Sequence, residues 1–358
     1  MNTSRTSAKI KIVNYVVLFT VLQISKINKE NYSMAYEVNF KFAPAEWLPY
    51  QDKKVLMDVM LEDFYKRAGK GYENPDFELK VVPDVHNYFA VDLMQRIRMS
   101  DLKNEKLVLI LPSPENAVYI SVTEALNKFK ISCRNVHVFF LYEYANEEGK
   151  VAPWQSPYSR SGQFMKYFYE RLDASLRMPM ENIHFWTDKN IESYSDEIAA
   201  LGGADVAYTS LSWSGGIGAI DPESFPAESV EEFVKMGSRY VTPMAEMIAH
   251  DSLRGMFGCA GDVANVPPCA VTVGPRDLME SKLWIDTEFL VACGGGAHQK
   301  YPLRLAMFGP ISEKNPGSIM RLHKGICYLS DDVARPATTP PDYDILERIA
   351  EIKAKEEK

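Results

Sequence analysis

The sequence predicts an α/β protein with a doubly wound, mainly parallel sheet carrying helices on both faces. The run Leu107–Pro112 (LVLILP) is hydrophobic along its whole length, as strands buried on both faces are, and Val136–Tyr142 (VHVFFLY) reads as a second strand. Helical patterns of about 10–15 residues separate the strand-like runs, the spacing of βαβ units. A further strand-like run, DVAYTSLSW from Asp205, empties into the glycine-rich turn SGGIG before Asp221-Pro222. In open parallel sheets, loops at the carboxyl ends of strands form the ligand crevice.

The elements follow in order. Residues 34–82 form an N-terminal extension with mixed signals: a strand-like VNFKFA, a helical stretch from Asp52 to Ala68 and the turn-rich GKGYENPDF. The α/β domain is expected over 83–335. It opens with helix Tyr88–Arg98 and the Leu107 strand, then helix Asn116–Lys130 and the Val136 strand. After a loop rich in Pro, Ser and Tyr come helix Gly162–Leu176, strand Ile183–Trp186, helix Ile191–Leu201 and the Asp205 strand. Strands Ala270–Val273, Phe289–Cys293 and Ile326–Leu329 complete the pattern, with helices at Arg276–Lys282 and Ala297–Phe308. Residues 336–358 read as a proline-rich linker and a charged helix whose Tyr343, Leu346, Ile349 and Ile352 share a face. No internal repeat is present.

Composition narrows the class. With 46% apolar residues the 358-residue chain supports a large core, and global disorder is excluded. A net charge of −8 argues against general nucleic-acid binding, which shows a basic footprint. The five cysteines are widely spaced and form no CxxC or zinc-type cluster, which predicts reduced, mostly buried thiols in the cytoplasm and no metal site. Residues 1–33 contain Arg5, Lys9 and Lys11 ahead of an apolar stretch, Ile12–Ile24, too short for a comfortable membrane span. No small-residue cleavage site follows, and Met34 opens an ordinary start, so these residues read as a disordered leader or a mis-assigned start rather than a secretion signal.

Candidate site residues sit at strand ends. Gly215, Gly216 and Gly218 let the backbone approach a ligand, and Asp221 brings a carboxylate to the same loop. The first strand ends in Ser113-Pro114-Glu115-Asn116, the second in Tyr142-Glu143-Tyr144. A second glycine run, Gly294 to Gly296, precedes His298 and Lys300 where a helix begins. Free N–H groups, the positive helix end and an ammonium there make a phosphate seat. A close-packed turn with a solvated lysine is the structural alternative. Ser214 in SWSGG resembles a nucleophile elbow, although Ser212 replaces the first glycine of G-x-S-x-G.

Over residues 83–334 these segments, in order, resemble the glucosamine-6-phosphate deaminase/isomerase family, within the ribose-isomerase and CoA-transferase-like fold. The resemblance is carried by the LILP strand, by FFLYEY against F-x-M-D-E-Y, and by SGQFMKYFYERLD with ENIHF. It continues through the glycine turn closing on DP, the His250-Asp251 pair, VPPCAVTVG against V-P-x-x-A-L-T-V-G, Gln299-Lys300 and LHKGICYLSDDVA. It implies a sugar-phosphate aldose–ketose isomerase or deaminase that opens a ring and moves a proton between C2 and C1. It further implies no cofactor, a small-molecule sugar phosphate as partner, and a homo-oligomer without nucleic-acid or membrane partners.

Carried over residue by residue, the family's G-x-x-D-G-H-I-A-F-N-E-P turn puts Ser214 at the aspartate, Gly216 at the histidine and Asp221 at the glutamate. The proton-shuttling aspartate falls on Tyr142, with Glu143 beside it. The T-G-G-T phosphate loop becomes Ser113 to Asn116. Arg254 stands near the family's arginine, displaced by one position, and Lys300 matches the phosphate lysine, with Gly295 and His298 in the loop before it. The changed acid/base positions imply low classical activity, with His298 or His323 as substitute imidazoles. The alternative is a non-catalytic member that binds a sugar phosphate as a sensor or assembly partner; a serine hydrolase built on Ser214 is a third reading.

Overall fold

The computed structural model describes residues 59–68, 72–243, 245–253, 257–258, 260–288 and 299–335. Contacts divide the chain into Met1–Pro44 and Ala45–Lys358. The first unit lies wholly outside the described residues, as do the expected 38–43 strand, the Phe289–Cys293 strand and the C-terminal 336–358 segment. The account below concerns the second unit.

Its centre is a seven-stranded sheet in the order β1-β10-β9-β6-β2-β3-β5, with every pairing parallel. The strands are β1 (Phe77–Val82), β2 (Leu107–Leu111), β3 (Val136–Phe140), β5 (Ile183–His184), β6 (Val206–Thr209), β9 (Trp284–Glu288) and β10 (Gly325–Ser330). Strand β2 is buried at every position, as its unbroken hydrophobicity predicts. The expected helices are present: α2 (Val85–Lys103), α3 (Asn116–Phe129), α5 (Tyr194–Ala200), α8 (Pro275–Met279) and α9 (Lys300–Phe308). They join α1 (Leu61–Arg67), α6 (Val230–Phe233), α7 (Ala245–Ser252) and α10 (Asp331–Ala334). The helix expected at Gly162–Leu176 begins as α4 (Arg160–Phe164), widens into a π-helical turn over Met165–Tyr169 and ends as a 3-10 turn at Ala174–Leu176.

Four features depart from the sequence reading. The sheet starts at β1, within what reads as turn and extension, where Phe77 and Leu79 face the core. The single strand expected at Val136–Tyr142 breaks at Leu141 and resumes as β4 (Tyr142–Ala145) in a separate antiparallel sheet with β8 (Cys269–Thr272) and β7 (Arg239–Val241). The Ala270 strand therefore belongs to that second sheet. Finally, β9 lies ahead of the expected Phe289 strand and carries two acidic side chains, Asp286 and Glu288, both fully buried.

The buried acids are held by hydrogen bonds. Asp286 accepts from Thr209 Oγ1 at 2.6 Å, and Glu288 Oε1 accepts from the Leu211 N–H at 2.7 Å. Burial, reinforced by the neighbouring Asp286, drives the Glu288 carboxyl well above its usual range, and burial raises Asp286 as well. Burial and the neighbouring carboxyl both favour the protonated form of Glu288, which lowers the cost of burying charge there.

Asp277 performs a related task at the start of α8. Its Oδ2 accepts from the Gly274 N–H and the Ser195 hydroxyl, each at 2.7 Å, while Ser195 Oγ accepts from the Ser238 N–H. Burial pushes this carboxyl up to about 6. A carboxyl protonated more readily in the fold than in the unfolded chain stabilises fully below about pH 4 and loses that contribution as pH rises through about 6. Asp277→Asn is therefore expected to gain roughly 3 kcal/mol relative to the parent chain between about pH 4 and pH 7. Urea melts across that range measure this, and a pH-independent difference would mean that Asp277 titrates normally.

Candidate functional site

The strand order reverses beside β2. From β2 the sheet extends one way through β3 and β5, whereas β6, β9 and β10 run the other way. Such a reversal parts the loops at the carboxyl ends and opens a crevice. A small cleft of about 20 Å³, room for about one water molecule, lies there. Pro112, Ser113 and Glu115 come from the β2 end, and Leu141 and Tyr142 from the β3–β4 junction. Ser210, Ser212 and Gly218 come from the β6 end, Arg160 from α4, and Met247, His250 and Asp251 from α7.

Alternation along β4 sorts its side chains by face. Tyr142 and Tyr144 share one face, and both hydroxyls donate to Asp251 Oδ2, at 3.3 and 2.8 Å. Arg160 lies among them with 2% exposure. Its Nη1 donates to the Tyr144 hydroxyl at 2.8 Å and to Asp251 Oδ2 at 3.3 Å, and its guanidinium sits 3.7 Å from the Tyr142 ring centre. This buried ion pair with stacked arginine makes a rigid polar floor, where burial and the Asp251 charge drive the Tyr144 phenol well above its usual range.

Glu143 points the other way. Its carboxylate accepts five hydrogen bonds: from the Tyr144, Arg160 and Ser161 N–H groups and from the Ser159 and Ser161 hydroxyls. All lie between 2.7 and 2.9 Å. The Ser159 hydroxyl also caps α4 by accepting from the Gly162 N–H. Glu143 thus builds the turn that delivers Arg160 to the cleft, and the Ser113 hydroxyl closes the other side by donating to the Arg160 carbonyl.

The glycine turn is folded on itself. Ser212 N–H donates to the Gly216 carbonyl at 2.9 Å, and Gly216 N–H returns a bond to Ser212 Oγ at 3.1 Å. Ser214 Oγ meets Ser212 Oγ at 3.0 Å. Gly215 has φ +78°, a left-handed conformation that favours glycine, and its carbonyl accepts from Gly317 N–H. At Gly216, the position carried over from the family histidine, an added Cβ would stand 2.5 Å from the Ile220 carbonyl oxygen. No side chain fits there without moving backbone. Gly216→Ala is accordingly expected to cost about 2 kcal/mol or more in a denaturant melt, and Gly216→His not to restore an imidazole to the cleft.

The remaining sequence candidates are dispersed. Asp221 is buried, and its Oδ1 accepts from the Glu223 and Ser224 N–H groups, closing the loop after the turn. Asn116 opens α3 and reaches Gln163 at 3.4 Å. Lys300 is the first residue of α9, where burial lowers its ammonium below the usual range. Neither these three nor Ser214 lines the cleft. Arg254, Gly295 and His298 lie outside the described residues. His323 bonds the Ser281 carbonyl oxygen at 2.7 Å, and burial lowers its imidazole.

Sequence reasoning placed Ser113, Tyr142 and the glycine turn together but missed Arg160, Glu115 and the cleft's imidazole, His250, which stacks on Trp213 at 5.2 Å between ring centres. Arg160 lies in a polar loop without a motif, so nothing local marked it. His250 and Asp251 were visible as a pair but not as site residues. Among the described residues no group of three or more metal-ligating side chains is assembled, and no helix is long and apolar enough to cross a membrane.

No protein-family model matches the chain. Among curated proteins, the glucosamine-6-phosphate deaminase of Pseudoalteromonas translucida is 23% identical over 261 residues, 71% of this chain and 87% of that enzyme. The enzyme of the same name from Lachnoclostridium phytofermentans is 24% identical over 168 residues, but the chain spans only 63% of its length. Among solved structures, a monomeric glucosamine-6-phosphate deaminase of the NagB superfamily superposes with a TM-score of 0.58 at 18% identity, covering 72% of this chain and 98% of its own. A 6-phosphogluconolactonase from Trypanosoma cruzi gives a TM-score of 0.51 at 15% identity over 76% and 98% of the two chains. With the parallel sheet, its reversal beside β2 and this similarity taken together, the chain resembles the glucosamine-6-phosphate deaminases in sequence over about two thirds of its length and shares the fold of the monomeric deaminase.

Proposed function

We propose that this chain binds a sugar phosphate in the β2/β6 cleft, an amino-sugar phosphate foremost, and deaminates it weakly or not at all. Support for the ligand class comes from the relatives, named as a glucosamine-6-phosphate deaminase and a 6-phosphogluconolactonase. The observation that carries the low-turnover part is the packing at Gly216, where Ile220 fills the space an imidazole would need. Tyr142 adds to it: where the family has a carboxylate base there is a phenol bonded to Asp251 and stacked on Arg160. A phenol, with an ordinary pKa near 10, is a poor proton acceptor at neutral pH. General acid–base catalysis contributes about 10²–10⁴-fold, so losing both groups is costly.

What remains suits binding. The Ser113, Ser210 and Ser212 side chains line the cleft beside the Asp251 carboxylate, a set that matches the hydroxyls of a sugar. Lys300 stands outside the cleft's lining, and its assignment to the phosphate rests on its place in the family pattern alone. His250 is the imidazole positioned for whatever proton transfer survives. A second reading, a sensor that binds without turnover, draws on the same closure at Gly216. The hydrolase reading is disfavoured, because among the described residues no histidine bonds to Ser214, whose hydroxyl pairs with Ser212.

A thermal-shift panel of sugar phosphates on the full chain tests this. A selective ligand at about 100 times its Kd adds roughly 2.7 kcal/mol. We expect glucosamine-6-phosphate or a close analogue to raise the melt, Lys300→Ala to abolish the rise, and ammonia release to stay near background. No shift with any sugar phosphate would refute the ligand class, and robust ammonia release would refute the low-turnover assignment.

A further inference from the structure

A groove runs along β7 and shares no residue with the cleft. It measures about 580 Å³, against about 20 Å³ for the cleft, and falls in the size range of pockets that enclose small molecules. One wall is the loop after β5, from Asp188 to Ser193, and the other is Arg239 and Tyr240 of β7.

Arg239 is the residue that marks this groove. One face of its guanidinium lies on the Phe225 ring, 4.5 Å from the ring centre. Its Nε is shut from water and has no hydrogen-bond partner. Burial lowers the guanidinium below its usual range, and no neighbouring carboxylate offsets this. Arg160, Arg304 and Arg321 are buried too, but each meets a carboxylate or several carbonyl oxygens. Partly burying a cation without a counter-charge costs free energy, which a ligand of opposite charge would offset.

Most other polar groups of the lining are already engaged. Asp188 accepts from Lys150 Nζ at 2.9 Å and from the Val151 N–H at 2.8 Å. The Tyr240 hydroxyl donates to the Asn146 carbonyl at 3.0 Å, and the Ser193 hydroxyl meets Glu197 at 3.4 Å. Arg239 and the exposed Lys189 then face one further carboxylate, Glu192, which does not act on Arg239. The groove is thus locally positive in a chain whose net charge is −8. It is also separate from the cleft. Arg239 pairs with Thr272, which pairs with Tyr142, and strands about 4.8 Å apart put roughly 10 Å of sheet between the two.

We propose that this groove binds a small oxyanion, a carboxylate or a phosphate, on the Nη edge of Arg239, with Lys189 at the rim. With Nε sealed, the two Nη groups are the donors a ligand can reach, and their planar fork matches either oxyanion. Ile191 and the Tyr240 ring supply apolar wall for the body of such a ligand. The site does not depend on the sugar-phosphate reading of the cleft.

Calorimetric titration of the full chain with inorganic phosphate, and separately with succinate, at fixed ionic strength tests this. Both titrations use the Lys300→Ala background, so that phosphate held through that lysine does not contribute. The proposal expects one or both anions to bind one-to-one below about 10 mM, and Arg239→Met to weaken that binding roughly tenfold or more. Methionine keeps an apolar stem on Phe225, so this variant is expected to melt no lower than its parent. Tighter binding of phosphate assigns the groove to a phosphorylated ligand, and tighter binding of succinate to a carboxylate. A second measurement needs no substitution at the site: the bound anion is expected to protect Arg239 from phenylglyoxal, read by peptide mass mapping. No binding of either anion, equal affinity in Arg239→Met, or an Arg239 left unprotected would each overturn the proposal.

Discussion

Replacing Glu143 with alanine is expected to destabilise the fold by about 3–5 kcal/mol and to disorganise the cleft floor. The carboxylate is 1% exposed and accepts five hydrogen bonds. Three come from backbone N–H groups that have no room to turn toward water. Each buried donor left unsatisfied costs about 1–3 kcal/mol, and the loss is partly shared because they lie in one turn. The same turn sets Arg160 under Tyr142 and against Asp251, so its loosening frees a guanidinium from a buried ion pair. Glu143→Gln, similar in shape, is expected to fall between the two, since its amide nitrogen faces donors rather than acceptors. Urea denaturation at neutral pH measures both variants, and a loss below about 1 kcal/mol for the alanine would show that water replaces the carboxylate.

Arg304→Ala is expected to have a comparable effect, about 3–5 kcal/mol, at the opposite end of the fold. Arg304 is fully buried on α9, one turn after Lys300. Its guanidinium donates to the carbonyls of Val59, Lys300, Val333, Ala334 and Arg335 and lies 5.1 Å from the Phe64 ring centre. Burial lowers it to about 10, so it stays charged at neutral pH. One side chain thus ties the segment entering α1 to the end of α10, and its removal strands several buried carbonyls at once. Arg304→Lys keeps the charge but not the planar fan of donors, and is expected to recover less than half of the loss. Guanidinium melts test the magnitude. Hydrogen exchange tests the mechanism: α1 and α10 should lose protection before the central strands do.

Much of the sheet was legible without coordinates. The run at Leu107 is apolar at every position, and that composition has few outcomes other than a strand covered on both faces; the run at Val136 is apolar save for His137. Helix α3 and strand β10 were placed to within one residue at each end from their apolar patterns. Strand β9 was not, for a specific reason. Asp286 and Glu288 interrupt the apolar pattern of that strand, and only the fold brings Thr209, Leu211 and each other close enough to bury them. Strand β4 was merged with β3 because a change of sheet at Leu141 leaves no local mark.

The site divides along the same line. By itself the sequence determined the fold class, the glycine turn at the end of β6, and the presence of Tyr142 and Gly216 where the family pattern calls for a base and a histidine, since these depend on residue type at a fixed place in a motif. Only the tertiary structure decided that Glu143 is a structural anchor, that Arg160, Tyr142, Tyr144 and Asp251 form one buried cluster, and that Gly216 admits no side chain. Arg160 and Asp251 are 91 positions apart, and Ile220 shuts Gly216 through a carbonyl oxygen. Contacts between distant side chains and the space left by a backbone atom are set by packing, and local sequence does not encode them.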